Sequence, residues 1–214
     1  MARGSLITIE GLDGAGKSTL ANALVESLSS SGHRVELLRE PGGVELSERI
    51  RELVKDPGLS VGPRAEALLY AAARAQLVQE RVEPLLEQGV TVLLDRYVDS
   101  SLAYQGAARG LGVEQVREIN TFATGALQAD RTLLLAIDPA LARARQAKRG
   151  EQPDRLERED AEFFEAIASA YEELAAAEPK RIRVLDASFT PATILADALD
   201  ALDEVLRPEV PRRG

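Results

Sequence analysis

Gly11-Leu12-Asp13-Gly14-Ala15-Gly16-Lys17-Ser18 follows the apolar run Leu6-Ile7-Thr8-Ile9 and opens a segment, Lys17 to about Ser30, whose Leu20, Ala21, Leu24 and Leu28 recur at helical spacing. The eight residues satisfy G-x-x-x-x-G-K-S/T, a pattern that chance supplies in only about one chain per hundred. The flanking elements narrow this further. With a buried strand before the loop and an amphipathic helix after it, the glycines admit phosphate against backbone N–H groups at a helix N-terminus. In that setting Lys17 reaches the β- and γ-phosphates, Ser18 offers its hydroxyl to magnesium, and Thr19 adds a hydrogen bond. The segment reads as strand, phosphate loop, helix, and so as a nucleotide site.

The alternation continues outward. Val35 to Leu38 reads as a second strand, followed by a Pro41-Gly42-Gly43 turn and a helical pattern through Leu46, Ile50, Leu53 and Val54. A long helix is predicted over Arg64 to Glu87 with a bend at Pro84, then an apolar strand, Val90 to Leu94, ending at Asp95. Helices near Ser100 to Ala108 and Val113 to Ala126 precede a strand at Thr132 to Ile137. A helix from Pro139, a helix from about Arg158 to Ala177, a strand at Arg181 to Leu185 and a helix at Pro191 to Leu206 complete the chain. Five strands alternating with helices, the central ones apolar throughout, predict an α/β P-loop NTPase fold: a five-stranded parallel sheet with helices on both faces. No repeat or linker divides residues 1–206, which are expected to form a single domain, with 207–214 as a loose tail.

Composition sets the outer limits. At 214 residues, 45% hydrophobic and 29% charged, the chain has enough apolar side chains for one substantial core. It has no cysteine and one histidine, His33, so disulfides, thiolate sites and histidine-based triads are excluded. No stretch approaches the roughly 18 uninterrupted apolar residues of a membrane span, and Met1-Ala2-Arg3-Gly4 leads straight into a strand; an intracellular, cytoplasmic chain is the expectation. A formal net charge of -9 disfavours a broad nucleic-acid surface, so anionic ligands must be held by local basic clusters.

Several such clusters stand out. Tyr70 and Arg74 are four apart on the long helix and share a face; the spacing fits a solvated face as well as a ring and guanidinium gripping a planar base. Asp95-Arg96 falls where an apolar parallel strand ends, the edge at which open α/β sheets bind ligands. Asp95 suits the magnesium site and Arg96 a phosphate. Ser101 and Gln105, again four apart with Tyr104 beside them, offer polar groups to a base edge and a ring to the sugar.

Taken together, Glu10 to Thr19, Arg39-Glu40-Pro41-Gly42-Gly43, Leu69 to Arg74, and Asp95-Arg96-Tyr97 through Tyr104-Gln105-Gly106 resemble the thymidylate kinase family in its bacterial form, in the family's order and over nearly the whole chain. The resemblance implies ATP as phosphoryl donor, dTMP as acceptor, Mg2+ as cofactor, and a homodimer with no nucleic-acid or membrane partner. It implies that Tyr70 stacks on thymine, that Arg74, Ser101 and Gln105 contact its polar atoms, and that Arg51 and Arg96 hold the acceptor phosphate. Tyr104 would crowd the sugar's 2′ position, and Asp13 is the loop carboxylate near the acceptor sugar. The resemblance implies catalysis by Lys17, Arg96, Asp13 and Arg149; Leu12, Asp13 and Ala15 supply no cation within the loop, so transition-state cations beyond Lys17 must come from elsewhere. Arg145 and Arg149 stand at a polar stretch similar to the family's mobile lid, placed within about 142–157.

The competing readings are another phosphate-loop kinase acting on a nucleoside or a different monophosphate, and a nucleotide-dependent binding switch. The switch would bind ATP without acceptor-dependent ADP formation. A guanine-reading N-K-x-D segment is absent from the sequence.

Overall fold

A computed structural model describes residues 3–148, 150 and 152–206; Arg149 and the expected tail at 207–214 lie outside the described residues. Five parallel strands, β1 (Leu6–Gly11), β2 (Val35–Arg39), β3 (Thr91–Asp95), β4 (Arg131–Ala136) and β5 (Ile182–Asp186), form one sheet in the order β2-β3-β1-β4-β5. The helices are α1 (Lys17–Ser30), α2 (Glu45–Lys55), α3 (Pro63–Leu77), α4 (Glu83–Glu87), α5 (Val98–Ser101), α6 (Val113–Thr124), α7 (Pro139–Ala147), α8 (Ala161–Ala177) and α9 (Pro191–Leu206). The predicted fold class is the one observed, and most boundaries fall within three residues of the sequence reading.

The strands are apolar on both faces because helices cover both. Ile7, Ile9, Leu93, Leu133 and Leu135 pack with Leu20, Leu24, Ile194 and Leu202 of α1 and α9. The alternate side chains Leu6, Val92 and Leu94 meet Leu77, Val78 and Leu86 of the long helical run, while Leu134 meets Ile167 and Tyr171 of α8. A strand period of two divides these two sets.

Two helical runs widen in ways the spacing did not predict. The run from Pro63 to Glu87 passes through a π turn at Val78–Val82. Pro84 has no N–H and its ring crowds the carbonyl four residues back, and the run absorbs this upstream of the proline as a wider turn. The run that begins as α5 becomes a π segment at Leu102–Ala108. In α2 the inward face is Ser47, Ile50 and Val54, whereas Leu46 and Leu53 point to solvent.

Because β1 is paired with β3 on one side and β4 on the other, the connections diverge beside it, and the crevice opens at the C-terminal ends of β1 and β3. Gly11 and Asp95 end those two strands.

Candidate active site

The phosphate loop turns out of β1 at Gly11 and feeds into the first turn of α1. Gly14 has φ +91°, and a Cβ there would lie 2.2 Å from the Ala142 carbonyl oxygen, so α7 seats against the loop only because the residue is glycine. Lys17 is buried, with Nζ donating to the carbonyls of Gly11 (3.1 Å) and Leu12 (3.0 Å) and to Asp13 Oδ1 (3.3 Å). Burial, followed by the nearby Arg96 charge, lowers the lysine's pKa, with Asp13 and Asp95 opposing. At the mouth of the loop Ser18 Oγ donates to Asp95 Oδ2 at 3.2 Å, joining a hydroxyl and a carboxylate from two elements.

Arg96 follows β3 with φ 74°, a left-handed conformation uncommon for a residue with a side chain. Its contacts hold it there. Its backbone N–H donates to Ile9 O (3.0 Å), Nη2 to Asp13 Oδ1 (2.6 Å) and Tyr104 Oη (3.3 Å), and Nη1 to Ser100 Oγ (3.0 Å). The guanidinium also lies 5.1 Å from the Tyr104 ring centroid. Burial would raise the Asp13 carboxyl, but Arg96 and Lys17 outweigh it and hold it well below the usual carboxylate range.

Beyond this cationic centre a cleft of about 300 Å³ extends between α2, α3 and the π segment. It brings together Asp13, Gly14, Gly16, Lys17, Ser18, Arg51, Tyr70, Arg74, Asp95, Arg96, Ser101, Tyr104 and Gln105, which the sequence had offered as separate segments. Arg51 Nη1 donates to Pro41 O at 2.9 Å. Arg74 is only 2% exposed: it donates to Glu40 Oε2 (2.7 Å), Ser101 Oγ (3.0 Å), the Tyr97 carbonyl (2.9 Å) and Asn120 Oδ1. The face that spacing left open between solvent and ligand is a buried one. Arg145 does not share in this assembly; its Nη1 donates to Ala187 O, 2.9 Å away between β5 and α9. The segment after α7 folds down on the cleft, with Asp154 paired to Lys55 at 2.8 Å and Asp154, Leu156 and Glu157 among the lining.

Sequence reading assigned no role to the supports underneath. Glu10 is fully buried and accepts from Tyr97 N (2.7 Å), Ser100 Oγ (2.5 Å) and Tyr171 Oη (2.9 Å), fixing the turn that carries Arg96 and Ser100. Burial and then Asp99 raise its pKa from 4.5 to about 7 against the pull of these donors and Arg96. A carboxylate closing the otherwise apolar strand LITIEG was the available signal. Glu40 stood inside a family-matching segment without a role of its own and Asn120 gave no signal, because their partner Arg74 lies 34 and 46 residues away.

A second, larger groove of about 510 Å³ lies against Leu134 to Ile137 and α8, but its walls are mostly apolar and lack convergent charged groups. The chemistry therefore belongs to the smaller cleft. Among the described residues no helix is long and apolar enough to cross a membrane, and no cluster of three metal-binding side chains occurs.

The family model described as thymidylate kinase matches residues 9–197. A thymidylate kinase of Deinococcus radiodurans is 48% identical over 204 residues, covering 95% of this chain and 98% of that one. One from Bacillus licheniformis is 43% identical over 206 residues, covering 95% and 97%. Among solved structures, a thymidylate kinase from Ehrlichia chaffeensis superposes with a TM-score of 0.77 at 25% identity, over 94% of this chain and 98% of that one.

Proposed function

The chain belongs to the thymidylate kinase family, and from that premise we infer which residues of the cleft carry the reaction. The enzyme transfers the γ-phosphoryl group of ATP to dTMP, giving ADP and dTDP on the way to dTTP. A phosphate oxygen of the acceptor is already nucleophilic, so the protein's work is alignment and charge stabilisation in place of strong base catalysis.

The observation that carries the assignment is the shared carboxylate: Asp13 Oδ1 lies 3.3 Å from Lys17 Nζ and 2.6 Å from Arg96 Nη2. The cation we assign to the donor phosphates and the one we assign to the acceptor phosphate thus share one carboxylate oxygen, which supports their acting in a single site. Residues 11–19 cradle the donor phosphates, Lys17 neutralises the transferring group, and Arg96 with Arg51 holds the acceptor phosphate. Tyr70 stacks on the base, Arg74, Ser101 and Gln105 face its polar edge, and Tyr104 stands against the 2′ position. The lid cations are assigned to Arg149, outside the described residues, and to Arg145, whose present contact with Ala187 would have to open.

Ser18 and Asp95 are the residues to hold Mg2+. One hydroxyl and one carboxylate at the loop's mouth, with the remaining positions left to water and phosphate oxygens, suit this hard, octahedral ion. When bound, it would neutralise charge on the donor phosphates. We place the enzyme in the cytoplasm as a homodimer acting on free nucleotides.

Magnesium- and ATP-dependent ADP formation tests the reading, with thymidine, the monophosphates of thymidine, deoxyuridine, uridine and cytidine, and a no-acceptor control. Strong preference for dTMP is expected. Preference for a different acceptor would overturn the base and sugar contacts, and ATP binding without acceptor-dependent turnover would overturn the kinase assignment.

A further inference from the structure

Glu66, in the first turn of α3, has no exposed surface and no role in the scheme above, yet three side chains from two other segments converge on it. Its Oε1 accepts from Gln105 Nε2 at 2.9 Å and Arg109 Nε at 3.3 Å. Its Oε2 accepts from Arg155 Nη2 at 2.6 Å and Arg109 Nη2 at 3.3 Å. Both guanidinium groups can only donate, and they pair with this carboxylate.

That fixes the amide of Gln105. Only an NH2 group can donate to the carboxylate, so the amide oxygen must point the other way. Gln105 is 2% exposed and lines the cleft beside Tyr70 and Arg74, and no described group donates to its Oε1. The residue therefore presents a hydrogen-bond acceptor to a base edge. Thymine and uracil carry a donor, N3–H, between two carbonyls; cytosine carries an unprotonated N3 beside an amino group. An acceptor held in place attracts the first and meets a lone pair on the second.

We propose that Glu66 is a positioning residue that locks the Gln105 amide with its oxygen toward the base, and thereby selects a thymine-type edge over a cytosine-type edge. The inference rests on the reading of Gln105 as a base contact. It also joins specificity to the segment over the cleft, since the same carboxylate holds Arg155.

The test compares kcat/KM for dTMP and dCMP in the wild type and in Glu66→Gln. An amide at position 66 offers both donor and acceptor, so Gln105 can turn over. The dTMP-to-dCMP ratio should fall at least about ten-fold, the worth of roughly one hydrogen bond, with KM for dTMP raised more than kcat is lowered. A folded variant whose ratio is unchanged, whatever its turnover, overturns the proposal. If the wild type itself shows no preference for dTMP, the acceptor-site reading fails before Glu66 is in question. Should Glu66→Gln not fold, the wild type still decides: the side-chain amide protons of Gln105, identified by their loss in Gln105→Ala, should exchange with solvent far more slowly than those of exposed glutamines. Exchange at the exposed rate would overturn the lock.

Discussion

At the residue scale, Arg74 shows how burial changes the meaning of a binding residue. From the role that the family resemblance implies, Arg74→Ala should chiefly weaken acceptor binding. In the structure its donors are spent on Glu40, Ser101, Asn120 and the Tyr97 carbonyl, and Glu40 Oε1 is already without a donor among the described residues. Burial raises the Glu40 carboxyl, with Arg74 opposing, so removing the guanidinium strands a buried acid. Arg74→Ala is expected to lose roughly 3–5 kcal/mol of stability as well as dTMP affinity, and a urea midpoint equal to the wild type's would refute this. Glu10 supplies a pH dependence with a definite sign. Its folded-state pKa is raised from 4.5 to about 7, so the folded protein holds this proton more tightly than the unfolded chain does. Its contribution is full below about 4.5 and is lost as pH rises through about 7, by as much as about 3 kcal/mol. The stability gap between wild type and Glu10→Gln should therefore shift in the variant's favour from pH 5 to pH 8; a gap independent of pH would dismiss the assignment. Lys17, Ser18, Asp95 and Arg96 were legible because a phosphate loop and a strand end dictate where they go. Glu10, Glu40 and Asn120 were not, because their meaning lies in partners distant in sequence.

At the scale of elements, the strands and helices were readable because their apolar periods differ and Gly and Pro punctuate them, whereas the π turns were not. An α-helical reading put Ser101 and Gln105 on one face, and both do reach the cleft, but through the wider turn at Leu102–Ala108. That turn reflects packing against α6, where a Cβ on Gly106 would lie 3.0 Å from Val113 Cα; no local pattern announces it. The family resemblance implied a lid in the segment after α7, and where that segment lands depends on single contacts. Arg155 donates through Nε to Val54 O at 2.9 Å and through Nη2 to Glu66 at 2.6 Å, with side-chain exposures of only 12% and 0% for the charged pair. A pair so enclosed resists opening more than a surface ion pair does. Arg155→Ala should speed amide hydrogen exchange across residues 152–160 by about ten-fold or more while leaving the β-strands protected. Unaltered exchange in that segment would mean that something other than Arg155 holds it down.

At the scale of the whole molecule, the helices that carry the acceptor side of the cleft also present apolar side chains outward. Leu46 of α2 is 49% exposed, Leu68 of α3 57% and Phe122 of α6 92%, and α3 packs against both of the other two. Sequence periodicity could not separate such residues from core ones, since Leu68 and Leu77 look alike until the sheet's position is known. An exposed phenylalanine and exposed leucines on helices that pack together are the kind of surface that a second copy of the chain would cover. Because Tyr70, Arg74 and Glu66 line the inner side of α3, covering its outer side would also hold the base pocket's wall in place. The homodimer we propose should therefore show a solution mass near twice 23.1 kDa. Leu68→Asp combined with Phe122→Asp should give the single-chain mass and a raised KM for dTMP, with the donor site, on β1 and α1, less affected. A wild type of single-chain mass at working concentration would remove the dimer, and a doubly substituted protein that stays dimeric would move its interface off these helices.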